Sequence, residues 1–140
     1  MNTTNKSTHQ LAPVLDQFDR LPLECDGLTC LTSALLSRAG IAHTVGVGGI
    51  YHTPSGRNFA PHLWIELADG HRVDYRVRMW LRNLDGVPHG IFRPTDWPNV
   101  RHDGQQTAPF DGDDRNAAIL ALSEGLDLDE LAQHLRRLVQ

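Results

Sequence analysis

Three residues that together can run acyl chemistry occur in order along the chain: Cys25, His62 and Asp74. A cysteine acts as a nucleophile through its thiolate, and a helix N-terminus favours that anion with unpaired N–H groups and positive partial charge. After Cys25 the apolar residues Leu28, Leu31, Leu35 and Leu36 recur at helical spacing, and Gly40 stands where such a helix would stop. The spacing predicts a helix over residues 25–39 with Cys25 at its start. A base must then reach the sulfur, and a third group must hold the imidazole in the useful tautomer and orientation. His62 and Asp74 are the candidates, provided that the chain between them turns both to one face.

That condition falls on a predicted β-hairpin, His62-Leu63-Trp64-Ile65-Glu66-Leu67 followed by Ala68-Asp69-Gly70 and then His71 to Val77. Side chains alternate across a strand, so one residue of loop length decides the outcome. A two-residue turn at Asp69-Gly70 sets Ile65 opposite Asp74 and turns His62 away from it. A three-residue loop closed by Gly70 in the left-handed region sets Trp64 opposite Asp74, and His62, Trp64 and Asp74 then share a face. Glycine at the third loop position suits the second arrangement, which is preferred.

The other elements must hold this hairpin against the cysteine helix. Leu11, Val14, Leu15 and Phe18 predict a helix that stops before Pro22, while residues 1–9 read as a flexible polar tail and 10–140 as a single domain. Ile41 to Tyr51 reads as a strand whose glycines admit a second backbone or a substrate, with a turn over 52–58. Residues 83–112 carry Pro88, Pro94, Pro98, Pro109 and Trp97 without a sustained period, and read as a long functional loop. Asp113 or Asp114 is placed to cap a helix over 117–122, Gly125 to break it, and Asp127 with Glu130 to box the start of a helix over 128–139.

Composition narrows the function classes. The 140 residues carry 13 Lys+Arg against 17 Asp+Glu, net charge -4, with no basic run, so neither a nucleic acid nor an anionic membrane is an expected partner. No stretch nears the ~20 apolar residues of a membrane span and no leader is evident, so a cytoplasmic location is expected. Two cysteines five positions apart make no disulfide framework. No histidine pair has the spacing of structural zinc sites, and the glycines of 45–50 lack a dinucleotide fingerprint, so no metal and no cofactor is expected. Cys30 lies about 140° around the helix from Cys25 and is expected buried and inert. Arg72, Arg76, Arg78 and Arg82 read as a solvated face rather than a docking surface for carboxylates.

Glu24-Cys25-Asp26-Gly27-Leu28, the helix end Arg38-Ala39-Gly40-Ile41, the strand His62-Leu63-Trp64-Ile65-Glu66 and Val73-Asp74 together resemble the transglutaminase-like cysteine-enzyme superfamily. Its fold relatives include bacterial transglutaminase-like peptidases, lasso-peptide leader peptidases and arylamine N-acetyltransferases. The resemblance implies an α+β, papain-like or transglutaminase-like core, a nucleophile helix on an antiparallel sheet, with helices after it. It assigns Cys25, fifteen residues before Gly40, as nucleophile, His62 as base and Asp74 as the orienting group, with Trp64 as the floor beside His62. The oxyanion would be held by the Cys25 N–H and one further donor, for which Gln17 is a candidate. The implied activity is hydrolysis or side-chain deamidation of an amide in a peptide or protein substrate. Acyl transfer to an amine is the alternative within enzymes, and a silent relative that binds a protein through the Trp97 loop is the alternative outside them.

Overall fold

The computed structural model describes residues 3–110 and 115–139. The leucine-periodic segment forms helix α2, Cys25–Arg38, and Gly40 ends it at φ +72°. The Gly40 N–H bonds Ser37 O at 3.1 Å and the Ile41 N–H bonds Leu36 O at 2.9 Å, the paired closure of a glycine-terminated helix. Helix α1, Thr3–Asp19, starts well inside the stretch expected to be a flexible tail. Within it, Thr8 is buried and donates to Asp69 Oδ2 at 2.6 Å, tying the helix there to a loop 61 residues away. Pro13 is accommodated on the exposed side of α1.

Strands β1, His43–His52, β2, Asn58–Leu67, and β3, Arg72–Asp74, follow. Pairing of Ile65 with Val73 and Glu66 with Arg72 puts Trp64 level with Asp74, the register of the three-residue loop, and Gly70 takes φ +94°. Strand β3 ends three residues earlier than the alternation predicts, because Asp74 Oδ1 accepts the Arg76 N–H at 3.0 Å and turns the chain into helix α3, Val77–Leu81. The segment read as one long loop contains β4, Gly90–Phe92, a 3-10 turn at Pro94–Asp96 and β5, Val100–Thr107. Backbone pairing along β1 makes β5 a strand despite its polar side chains.

The five strands form one antiparallel sheet in the order β4-β3-β2-β1-β5. Val45, Ile65 and Val73 on one face join α1, α2 and the last helix, α5 (Leu128–Val139), in the larger core. A smaller core gathers Ile50, Val77, Leu81, Val87 and Val100, with Phe59 and Trp80 stacked beside it at 3.7 Å. The glycines of β1 admit a backbone: a Cβ on Gly48 would lie 2.0 Å from Asp103 O, and one on Gly104 2.1 Å from Val47 O. Gly46 instead makes room for the Trp64 ring.

Helix α4, Arg115–Ser123, precedes Gly125, which takes φ +80°; its expected caps Asp113 and Asp114 lie outside the described residues. Asp127 Oδ1 accepts the N–H groups of Asp129 and Glu130 and so caps α5. Among the described residues no helix is long and apolar enough to cross a membrane.

Candidate active site

Asp74 ends β3 as a buried carboxylate, and three donors from different parts of the fold converge on it. His62 Nε2, on β2, donates to Oδ2 at 2.7 Å, and His102 Nε2, on β5, donates to the same oxygen at 2.8 Å. The Arg76 N–H takes Oδ1. Because the deprotonated carboxylate only accepts, both histidines carry a proton on Nε2. Burial alone would raise the Asp74 pKa, but the charge on His62 and the hydrogen bonds from His102 and His62 overcome it and hold the carboxyl well below the usual range.

The reciprocal effect falls on His62, whose side chain is fully buried. Burial favours the neutral ring; the charge and hydrogen bond of Asp74, joined by smaller effects of Cys25, outweigh it and push the imidazole up to about 9. At neutral pH the pair is therefore an imidazolium and a carboxylate. His62 Nδ1 is buried without a hydrogen-bond partner. The Cys25 thiol approaches closely enough to favour the imidazolium, although no aligned hydrogen bond to Nδ1 is formed. Cys25 is the first residue of α2, is 7% exposed, and borders with Asp74 a cavity of about 10 Å³, room for one water.

Trp64 lies beside this cluster, 2% exposed, its ring centroid 6.2 Å from His62 and 4.9 Å, edge-on, from His102. Its Nε1 donates to Glu66, which in turn takes Arg72. Gln17 donates its amide to Pro13 O one turn back in α1, so that donor is engaged within its own helix. Cys30 is half-buried rather than buried. Of the four arginines expected on a solvated face, Arg78 and Arg82 are exposed, Arg72 is half-buried and Arg76 is buried. Arg76 is 8% exposed and bonds Asp19, Leu21, Leu23 and Tyr75, because the carbonyls of the turn before Cys25 face inward and need a donor. Arg72 pairs with Glu66 and Arg78 with Val87 O.

His62, Asp74 and His102 also offer three ligand-type atoms within 4.8 Å of one another. Tetrahedral zinc with bonds of ~2.0–2.1 Å would hold its ligands about 3.3 Å apart. At 2.7 and 2.8 Å these atoms are instead hydrogen-bonded to each other, so their arrangement is that of a proton network. A roomier cavity of about 440 Å³ lies elsewhere, lined in part by His71, His89, Phe92, Arg93 and Trp97, and includes none of Cys25, His62 or Asp74. The larger cavity and the buried charge network thus occupy different parts of the fold.

His102 is the site residue absent from the sequence reading. Nothing in Arg101-His102-Asp103-Gly104 alternates like a buried strand, and the residue reaches Asp74 only through the pairing of β5 with β1. Comparison of the chain with protein-family models, with curated proteins and with solved structures found no match in any of the three.

Proposed function

We propose that the chain is a cysteine-dependent enzyme acting on amides, built on a transglutaminase-like, papain-like core, with Cys25 as nucleophile, His62 as acid and base, and Asp74 as the orienting group. The observation that carries this reading is the buried His62–Asp74 pair, bonded at 2.7 Å, with the second imidazole nitrogen left open beside Cys25 at the start of α2. A lone core histidine needs neither a buried carboxylate nor an adjacent thiol.

In the reaction the Cys25 thiolate attacks the amide carbonyl carbon, forming the S–C bond and moving the carbonyl electron pair onto oxygen. The Cys25 N–H at the start of α2 suits the developing oxyanion, whereas the Gly27 N–H is already taken by Asp26 Oδ1 at 2.8 Å. As the tetrahedral species collapses, the C–N bond breaks and the His62 imidazolium gives its proton to the leaving nitrogen, leaving a thioester. Water then attacks the thioester, His62 accepts its proton, and the acid departs with Cys25 restored as thiolate. A backbone amide gives peptide cleavage and a side-chain amide gives deamidation with release of ammonia. An amine in place of water gives acyl transfer by the same steps.

Iodoacetamide labelling read residue by residue by mass spectrometry tests the pair without a substrate. Cys25 is expected to label at about pH 5–6 at least tenfold faster than Cys30, and to lose that advantage in His62→Ala. Equal labelling of the two thiols, unchanged by His62→Ala, would refute the reading and favour the protein-binding alternative.

A further inference from the structure

An orienting carboxylate needs one imidazole to orient, yet Asp74 Oδ2 receives two. The second, His102, is buried, and its Nδ1 has no partner. It sits among the rings of Trp64, at 4.9 Å, and Phe92, at 5.9 Å, where an apolar side chain would avoid an unsatisfied nitrogen. Packing therefore does not account for a histidine here, whereas its bond to Asp74 does.

We propose that His102 is a positioning residue for the Cys25–His62 pair, holding the Asp74 carboxylate from β5 so that His62 keeps Nε2 on Asp74 and leaves Nδ1 open to Cys25. The inference rests on the Cys–His reading above. The mechanics follow from the donors. The Arg76 N–H fixes Oδ1 through the local turn, and two imidazoles from separate strands fix Oδ2, so the plane of the carboxylate is set at both ends. Removing His102 leaves one lone pair of a buried carboxylate unmet, and Asp74 turns or admits water to satisfy it. The ring of His62, which has no other hydrogen-bonded anchor, turns with it.

The test compares wild type, His62→Ala, His102→Leu and His102→Gln by residue-resolved iodoacetamide labelling at about pH 6, with Cys30 as internal reference. Leucine fills the slot without a donor. Glutamine carries an amide N–H as many bonds from Cα as the histidine Nε2–H, and cannot titrate. His102→Leu is expected to lower the Cys25:Cys30 labelling ratio about tenfold, the loss of one hydrogen bond to a charged group, and His102→Gln to stay within about threefold of wild type. General loosening of the fold would lower the ratio by speeding Cys30, whereas loss of the hold on Asp74 lowers it by slowing Cys25 with Cys30 unchanged, so a fall carried by Cys30 alone overturns the role of His102. A ratio in His102→Leu equal to or above wild type, with His62→Ala still slowing Cys25, overturns the role of His102 alone. If His62→Ala has no effect either, the Cys–His reading falls and takes the role of His102 with it.

Discussion

The His62–Asp74 pair makes folding stability depend on pH between about 6.5 and 9. Folding raises the His62 pKa from 6.5 to about 9, which at about 1.4 kcal/mol per pH unit corresponds to about 3 kcal/mol of stability. The sign is set by the folded state binding the proton more tightly. The contribution is complete below about pH 6.5 and is lost progressively as pH rises toward 9. His43 acts on the other side. Burial, offset only in part by its bond to Ile41 O, lowers its pKa, so its contribution is present at higher pH and falls away as pH drops below 6.5. Asp69 and Asp74, both lowered, lose theirs only in acid below 3.8, and Tyr75, raised by burial and by its bond to Asp16, acts above 10.

Urea unfolding measured at intervals between about pH 6 and 9.5, for wild type and His62→Gln, isolates the effect. Glutamine retains a donor for Asp74 and removes the titration. Wild type is expected to lose about 3 kcal/mol across the interval, and the variant to lose far less. Parallel curves for the two proteins would refute the ion pair as the source, and a wild-type curve that rises with pH would refute its sign.

Gly46→Ala sets a Cβ 2.2 Å from Trp64 Cε2, so the indole must leave its place against His102; a loss of about 1–3 kcal/mol is expected in unfolding experiments, and an unchanged stability would show that the ring has another seat. Arg76→Ala removes the donor shared by the carbonyls of Asp19, Leu21 and Leu23, just ahead of Cys25. It is expected to cost about 3–5 kcal/mol, read as a fall in unfolding free energy, and a cost near that of an exposed arginine would contradict its role as an internal tie.

Legibility in the sequence followed how local the determining interaction is. Helix α2 was readable because its core face repeats at helical spacing and its end needs only Gly40 in the left-handed region. The β2–β3 register was readable because period-two arithmetic over Ala68-Asp69-Gly70 admits two answers and Gly70 favours one. Arg76 was misread because an arginine among other arginines looks solvated, and only the inward carbonyls of residues 19–23, brought close by the fold, make burial favourable. Strand β5 was unreadable for a related reason. Beyond His102 its side chains are exposed, so no alternation marks it, and its pairing partner lies some fifty residues earlier.

The same long-range geometry explains what the glycines of β1 do for the site. In the sheet order β4-β3-β2-β1-β5, Asp74 and His102 stand three strand spacings apart, at least ~14 Å in a flat sheet. An aspartate and a histidine side chain with a hydrogen bond between them do not span that distance, so the sheet must curl toward the face that carries His62, Trp64 and Asp74. Curling brings backbones and side chains on that inner face together, and β1, which lies between, is where the crowding is worst. There Gly46 yields its side-chain space to Trp64, and Gly48 meets Gly104 where either Cβ would strike a carbonyl oxygen. An irregularity between Gly48 and Ile50 adds the local bend. Glycines that carry no chemistry are thus what lets a histidine from the edge strand reach the carboxylate beside the thiol.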